Sequence, residues 1–201
     1  MPIGNLDDVT LRALKVLGGV GLIAAEDTRK IKVLMKHFQI TTPVISYHDH
    51  NEKAKIPHLL ARLQDEDIAL VSDAGTPGIN DPGYELVRAC IERGIPVTPV
   101  PGPSAITAAL VISGMPIDRF IFLGYVSRKQ GERQRLFSSL ERETRTVLFL
   151  ETPHRLRRTL EDLVVILPER EIALCREMTK THEEVFRGTA SEALAHFEKP
   201  R

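Results

Sequence analysis

The stretch Ser72–Gly83 has the sequence Ser-Asp-Ala-Gly-Thr-Pro-Gly-Ile-Asn-Asp-Pro-Gly, and it separates an apolar run, Ile68–Ser72, from a helical stripe that begins at Leu86. The apolar run is typical of a buried strand, so the stretch connects a strand to a helix. Its three glycines permit tight turns and close backbone approach, and its two prolines stiffen the chain. Because open α/β sheets bind ligands at the carboxyl ends of their strands, this loop is a candidate binding site.

A second loop, Pro99–Ala105, has the sequence Pro-Val-Pro-Gly-Pro-Ser-Ala and follows the run Pro96–Val100, which we predict to be a strand. Its prolines hold it extended, and Ser104 is a natural N-cap whose helix would offer backbone amides to a polar ligand. Neither loop contains a dinucleotide fingerprint or the lysine of a P-loop. Each loop alone is also consistent with an ordinary strand-to-helix turn that is rich in turn formers.

Strand-like and helix-like segments alternate along the whole chain. Most of the strand candidates are continuous apolar runs, which is typical of parallel strands that are covered on both faces. The alternation predicts an α/β fold with largely parallel pairing in at least its first part. The predicted strands are Val20–Ala25, Val44–Tyr47, Ile68–Ser72, Pro96–Val100, Phe120–Leu123, Thr146–Glu151 and Ile172–Arg176. The helical segments begin at Leu11, Ile56, Leu86, Ala105, Leu136, Leu156 and Ala190.

The segment Ser113–Pro116 is the predicted domain junction, because it follows an Ala/Ile-rich helix and precedes a new strand. We therefore predict an N-terminal α/β domain, residues 1–115, that carries both loops, and a C-terminal α/β domain, residues 116–201. A ligand cleft between two such lobes is common. From Arg119 to Arg158 the chain carries ten basic and four acidic residues, an excess that could steer a polyanion or could be solvated helix faces.

Composition excludes several classes of protein. The chain of 201 residues is 42% apolar and carries no formal net charge, as expected of a globular protein and not of a general nucleic-acid coat. No apolar run is long enough to span a bilayer, and no secretory signal is visible at the start. Cys90 and Cys175 lie far apart in apolar segments, so we expect reduced core cysteines and a cytoplasmic protein without a zinc site.

Together the two loops resemble the ribosomal RNA 2′-O-methyltransferase branch of the tetrapyrrole methylase superfamily. The resemblance covers essentially the whole chain. Further segments that carry it are Pro2–Leu6, Ala25–Arg29, His48–Glu52, Phe122–Tyr125, Glu151–Arg155 and Arg176–Lys180. The family's first strand, before the Pro-Ile-Gly loop, and its usual strand after the last helix have no counterpart, so we expect the C-terminal domain to be truncated.

The resemblance implies two α/β domains of the tetrapyrrole methylase type with S-adenosylmethionine (SAM) in the cleft between them. The implied reaction is 2′-O-methylation of a cytidine ribose in small-subunit (16S) ribosomal RNA, by a homodimer with no membrane association. The implied cofactor-binding residues are Pro2, Ile3, Asp73, Ala74, Gly75, Thr76, Pro77, Ile79, Ser104, Ala105, Glu151 and Cys175.

A ribose hydroxyl is a weak nucleophile at neutral pH, so a general base could assist its attack. The candidates are Glu26, Asp27, His48 and Glu151, with His50 as a further one. For Glu26 and Asp27 the alternative is a helix cap or a salt bridge with Arg29, and for the histidines it is an ordinary surface or hydrogen-bonded role. The histidines lack an evident third ligand, so no metal site is predicted.

Five residues are predicted to contact RNA: Arg29, Lys30, His50, Arg155 and Lys180. Such contacts position the RNA backbone and do not read the base. For Arg155 the alternative is neutralisation of Glu151. Two other functions stay open: a superfamily relative that acts on a precorrin or diphthine-type substrate, and a non-catalytic ribosome-binding module.

Overall fold

The computed structural model describes residues 1–197, and residues 198–201 lie outside the described part. It confirms the α/β class, and it divides the chain into two compact units, Met1–Ala105 and Ile106–Arg201. The first unit contains α1 (Leu11–Gly19), β1 (Leu22–Ala25), α2 (Thr28–His37), β2 (Val44–Ser46), α3 (Glu52–Arg62), β3 (Ile68–Val71) and α4 (Tyr84–Glu92). Next come α5 (Ala105–Ser113), β4 (Phe120–Tyr125), α6 (Gln130–Ser139), β5 (Thr146–Leu150), α7 (Pro153–Ile166), β6 (Glu171–Arg176), β7 (Glu184–Thr189) and α8 (Ala190–His196).

The sheet of the first unit has the strand order β2-β1-β3, and both of its pairings are parallel. This confirms the predicted parallel pairing. All four residues of the central strand β1 are buried. They face alternate sides of the sheet because successive side chains of a strand point in opposite directions.

Helices cover both faces of this sheet. On one face Ile23 and Ala25 of β1 pack with residues from α1 and α2, among them Leu17 and Leu34. On the other face Leu22 and Ala24 pack with residues from α3 and α4, among them Leu59 and Leu86. Burial on both faces explains why the strand is a continuous apolar run and does not alternate.

The second unit contains two small sheets. Strands β4 and β5 pair in parallel, and β6 and β7 form an antiparallel pair. A core cluster of Val126, Phe137, Leu163 and Ala190 joins the end of β4 to α6, α7 and α8. No helix in the described part of the chain is long and apolar enough to cross a membrane.

The structure corrects one predicted strand and adds two elements, besides a short 3-10 helix at Leu6–Asp8. The prediction of a strand at Pro96–Val100 is wrong, since this segment has no regular structure. Pro96 and Pro99 have no backbone N–H, so the segment cannot sustain a ladder of hydrogen bonds. Helix α2 and strand β7 were not predicted.

The boundary between the compact units lies at the start of α5, whereas the predicted junction lies at its end. Contacts within the second unit hold the end of this helix. Arg187 of β7 donates hydrogen bonds to the carbonyl groups of Ile112 and Ser113, which are left without helical partners at the last turn. The Cys175 thiol lies 4.0 Å from the carbonyl oxygen of Ala109.

Candidate active site

The strand register of the first unit brings three loops to one edge of the sheet. Ala25 of β1 is paired with Ser46 of β2 and with Val71 of β3. Because the three strands are parallel, the segments that follow them start side by side. The predicted residues Glu26, Asp27, His48 and Asp73 therefore lie along the carboxyl edge, where open α/β sheets bind ligands.

Three of the segments predicted to bind the cofactor meet at Gly75. Its φ of +67° is left-handed, and an added Cβ would lie 3.7 Å from the Pro103 carbonyl oxygen and 3.8 Å from Cγ2 of Ile3. The Gly75 N–H donates to the Met1 carbonyl oxygen at 2.9 Å, and the Met1 nitrogen donates to the Gly75 carbonyl at 2.5 Å. The start of the chain is thus hydrogen-bonded to the β3–α4 loop (Ser72–Gly83), and the segment before Ser104 lies close enough to leave room at Gly75 for little more than a methyl group.

Gly83 ends the β3–α4 loop in a conformation that only glycine tolerates. Its φ is +144°, and an added Cβ would lie 2.8 Å from Cδ2 of Leu70 and 3.3 Å from the backbone nitrogen of Gly78. The first distance is shorter than any normal carbon–carbon contact. The return of the loop to α4 therefore depends on the absence of a side chain at this position.

The β3–α4 loop is tied to the turn that follows β1. The Asp73 N–H donates to Oε2 of Glu26 at 3.0 Å, and Oδ1 of Asp73 accepts from the Asp27 N–H at 3.0 Å. Lys30 Nζ donates to Oδ2 of Asp73 at 2.6 Å. Glu26, Asp27, Lys30 and Asp73 were predicted as site residues one by one, and the structure brings them into a single network.

Asp27 caps α2 and binds Arg29. Its Oδ1 accepts from the Arg29 N–H at 2.8 Å, and its carboxylate is paired with the Arg29 guanidinium, with Oδ2 at 2.7 Å from one nitrogen. These hydrogen bonds hold the pKa of Asp27 well below its ordinary value. A carboxylate with so low a proton affinity is a weak base, so the geometry favours the cap and salt-bridge alternative over catalysis.

Asn51 fixes the ring of His48. The His48 N–H donates to Oδ1 of Asn51 at 2.9 Å, so the amide nitrogen of Asn51 faces Nε2 of His48 at 3.0 Å and Oγ of Ser46 at 3.2 Å. With Nε2 as an acceptor, the neutral ring carries its proton on Nδ1. Neither nitrogen is then ready to take a proton from a substrate. His50 is exposed, and its ring centroid lies 6.0 Å from that of His48.

Asp81 is a site residue that the sequence reasoning missed, although it lies within the quoted loop. Burial raises the pKa of Asp81 to about 6, and the negative charges of Glu26, Asp73 and Asp49 add to the rise, while a hydrogen bond with Ser72 opposes it. Four carboxylates from three loops are therefore close enough to interact at this edge. Only their spatial proximity reveals this, because the sequence does not show which loops become neighbours.

Glu151 follows β5 in the second unit, and both of its carboxylate oxygens are engaged. Oε1 accepts from the Thr152 N–H at 2.7 Å and lies 3.2 Å from Nε of Arg155, and Oε2 accepts from the Thr159 hydroxyl at 2.6 Å. The side chain is only 5% exposed. This geometry favours the alternative in which Arg155 neutralises Glu151.

Four of the five residues predicted to contact RNA have internal partners. Arg29 is bound to Asp27 and Lys30 to Asp73. Arg155 is bound to Glu151 and donates to the Val126 carbonyl at 2.5 Å, and Lys180 lies 3.0 Å from Glu177. Arg29 keeps most of its side chain exposed, at 88%, whereas Arg155 is 22% exposed. RNA contact by these residues stays a prediction.

The predicted cofactor-binding residues fall in both units. Pro2, Ile3, the residues from Asp73 to Ile79, Ser104 and Ala105 belong to the first unit, and Ala74, Thr76 and Ile79 are exposed there. Glu151 and Cys175 belong to the second unit. Cys175 is half-buried in β6, and burial raises the pKa of its thiol. Within residues 1–197 no group of His, Cys, Asp or Glu side chains could hold a metal ion.

The chain thus has a parallel α/β unit with a Gly/Pro-rich loop at its carboxyl edge, followed by a second α/β unit. These features place it in the class of two-unit α/β proteins. The chain matches the family model of Tetrapyrrole (Corrin/Porphyrin) Methylases over residues 1–194 and belongs to that family. This confirms the family resemblance found in the sequence.

Particular relatives are more similar still. The chain is 56% identical over 198 residues to a Ribosomal RNA small subunit methyltransferase I from Synechocystis sp., covering 98% of this chain and 71% of the relative. It is 49% identical to the protein of the same name from Thermotoga maritima, covering 100% and 90%.

Solved structures show the same fold at low sequence identity. A crystal structure of diphthine synthase matches with a TM-score of 0.76 and 15% identity, covering 100% of this chain and 84% of that one. A uroporphyrin-III-C-methyltransferase from Thermus thermophilus matches with a TM-score of 0.66 and 21% identity, covering 100% and 87%.

Proposed function

We propose that this protein is a SAM-dependent methyltransferase that methylates the 2′-hydroxyl of a cytidine ribose in small-subunit (16S) ribosomal RNA. The observation that carries the proposal is the identity of 49% to 56%, over nearly the whole chain, to relatives named Ribosomal RNA small subunit methyltransferase I. The joined loops at the sheet edge support it, because they contain the segments on which the family resemblance rests.

The first-unit residues fit a cofactor of this kind. Gly75 and Gly78 are both left-handed, with φ values of +67° and +81°. Such conformations leave the backbone free of a side chain, so that a ligand can approach it closely. Pro2 and Ile3, the Asp73–Ile79 segment, and Ser104 with Ala105 would hold SAM, which supplies its methyl group already activated as a sulfonium. Glu151 and Cys175 remain predicted contacts, and the cleft between the domains remains a prediction.

The protein's own contribution is then to bind, orient and desolvate the reacting groups. Where the ribose hydroxyl needs a proton acceptor, we infer that the first-unit carboxylates Glu26 and Asp81 are better placed than the other candidates. Asp27 has a depressed pKa, Glu151 has both oxygens engaged, and His48 has its Nε2 engaged. Asp81, with a pKa of about 6, is matched to proton transfer near neutral pH.

The test combines cofactor binding with product mapping. We expect titration calorimetry to show SAM binding by the full chain, and we expect small ribosomal subunits to gain one 2′-O-methyl group on a cytidine. A precorrin and a diphthine-type protein substrate serve as the competing substrates. Methylation of either competitor in place of RNA would move the protein to another branch of the family, and absence of SAM binding would favour a non-catalytic ribosome-binding module.

Two further features are part of the proposal. The family resemblance supports a homodimer, which light scattering after size-exclusion chromatography would detect as twice the chain mass. The ribosomal substrate supports a cytoplasmic location, which fractionation of cells would test.

A further inference from the structure

Asp73 lies where the β3–α4 loop crosses the turn after β1, and its N–H and both of its carboxylate oxygens have partners there. Its N–H donates to Glu26, Oδ1 accepts from the Asp27 N–H, and Oδ2 accepts from Lys30 Nζ. The carboxylate thus meets a backbone amide and a side-chain cation on a neighbouring strand connection. These contacts set the position of the loop before any ligand arrives.

Lys30 is the cation that neutralises Asp73 in an acidic neighbourhood. It comes from the first turn of α2, and its pKa is raised mainly by the hydrogen bond to Asp73 and further by the charges of Asp27 and Glu26. The charges of Glu26, Asp73 and Asp49 all act on Asp81 as well. Without the ammonium group, Asp73 would face the other carboxylates uncompensated, and their repulsion would push the loop away from the turn.

The two side chains of the pair differ in their exposure to water. The Lys30 side chain is 61% exposed, whereas the Asp73 side chain is 24% exposed. The ammonium group reaches from the surface to a partly buried carboxylate. A single bond of this kind is worth little to global stability, because exposed ion pairs contribute only a small free energy. Its effect should be concentrated on the loop that it holds.

We propose that Lys30 and Asp73 form a positioning pair for cofactor binding, so that Lys30 holds the β3–α4 loop in its binding conformation and does not serve as an RNA phosphate contact. The inference rests on the proposed function, since it assigns the β3–α4 loop to SAM. It reassigns Lys30 from the RNA to the cofactor. Asp73 acts through its partners on the loop residues that follow it.

The test is a charge-rescue series on the full chain. Lys30→Met removes the ammonium group and keeps the apolar stem, and we expect it to weaken SAM binding by about threefold to tenfold in calorimetry. The conservative variant Lys30→Arg keeps a cation that can pair with Oδ2 of Asp73, and we expect it to bind SAM within about twofold of the wild type.

RNA binding distinguishes the two roles of Lys30. For Lys30→Met we expect an unchanged RNA affinity and an unchanged dependence of that affinity on salt, whereas loss of a phosphate contact would lower the salt slope by about one. Lys36→Met removes an exposed lysine from the last turn of the same helix, and as the matched control it should change neither property.

Three outcomes overturn the inference. One is an unchanged SAM affinity in Lys30→Met, and another is a lowered RNA affinity with a reduced salt slope in that variant. The third is a loss of SAM affinity in Lys30→Arg as large as that in Lys30→Met, which would contradict the charge argument. If the wild type itself bound no SAM, the proposed function would fail instead, so the two failures are distinguishable.

Discussion

The two units hold their loops by opposite means. In the first unit, the β3–α4 loop is tied to its neighbour by Lys30 and Asp73, a pair that is open to water. In the second unit, the β4–α6 loop (Val126–Lys129) is tied by Arg133 and Asp162, whose side chains are 6% and 3% exposed. An exposed pair can form and break at small cost, whereas a buried pair cannot lose one member without leaving an uncompensated charge.

Several hydrogen bonds support the buried Arg133–Asp162 pair of the second unit. Arg133 donates to Asp162 and to the Ser127 carbonyl at 2.9 Å, while Gln130 and Gln134 donate to Oδ1 of Asp162 at 2.9 and 2.8 Å. Burial pushes the pKa of Asp162 upward, but the hydrogen bonds from the two glutamines and the guanidinium outweigh it and leave the pKa below its ordinary value. The difference between the units predicts a rigid β4–α6 loop in the second unit and an adjustable β3–α4 loop in the first.

The largest effect is expected from Asp162→Ala. It leaves the guanidinium of Arg133 buried and unpaired, so we expect a loss of about 3–5 kcal/mol in the free energy of unfolding. Urea unfolding measures this loss. Arg157→Ala removes one partner of the exposed Arg157–Glu161 pair on the same helix and should cost less than about 0.5 kcal/mol. Equal losses in the two variants would remove the contrast between buried and exposed pairs.

A smaller loss is expected from Gly83→Ala in the first unit. The new methyl group would overlap Leu70, and the φ of +144° is strained for alanine, so we expect a cost of about 2 kcal/mol in urea unfolding. Gly18→Ala is the control, because nothing lies within 4 Å of its added Cβ and it occupies a helix. It should be neutral or stabilising by up to about 1 kcal/mol. If Gly83→Ala left the free energy of unfolding unchanged, the end of the loop would be able to shift and make room for the methyl group.

Asp81→Asn tests the crowding of carboxylates at the first unit's sheet edge. The pKa of Asp81 is raised from 3.8 in the unfolded chain to about 6 in the fold, so the folded state holds this proton more tightly. The wild type therefore loses stability as the pH rises from about 4 through 6, and it regains that stability as the pH falls.

Asparagine carries no charge at any pH in this range. After discounting for solvent screening, we expect Asp81→Asn to be about 1 kcal/mol more stable than the wild type at pH 8, with the difference vanishing near pH 4. Thermal unfolding across pH 4 to about 8 measures it. A difference that grows as the pH falls would show that the carboxylate is stabilised and not crowded. At pH 8 the same variant also reports whether methyl transfer needs the carboxylate.

Much of the fold and the general position of the site could be predicted from the sequence. Buried strands such as Leu22–Ala25 are apolar on both faces, and a Gly/Pro-rich loop after such a strand marks a ligand edge. Helix α2 was missed because its lysines interrupt the apolar stripe of Ile31, Leu34 and Met35, although Asp27 provides an N-cap. The run Pro96–Val100 is apolar enough to predict a strand, but its prolines lack the backbone N–H that strand pairing requires.

The partners within the site could not be predicted. Hydrophobic periodicity assigns a residue to a face, but it does not say which side chain of another loop it will meet. Lys30 and Asp73 are 43 positions apart, and Asp73 and Glu26 are 47 apart. Their meeting depends on the register between β1 and β3, which is a property of the folded sheet. The same limit hid the interaction of Asp81 with Glu26.

The smallest effect on stability is expected from Arg29→Ala, which removes the most exposed member of the first unit's network. Its side chain is 88% exposed, and Asp27 would keep its hydrogen bond to the backbone of residue 29. We therefore expect no measurable change in the midpoint of urea unfolding.

RNA binding should distinguish Arg29 from its neighbour Lys30. Arg29 is open to water while Lys30 reaches inward to Asp73, so substitutions of these adjacent residues should affect RNA binding differently. A salt slope reduced by about one in Arg29→Ala, with none in Lys30→Met, would assign phosphate contact to the exposed cation. Unchanged slopes in both variants would place the RNA contacts elsewhere on the protein.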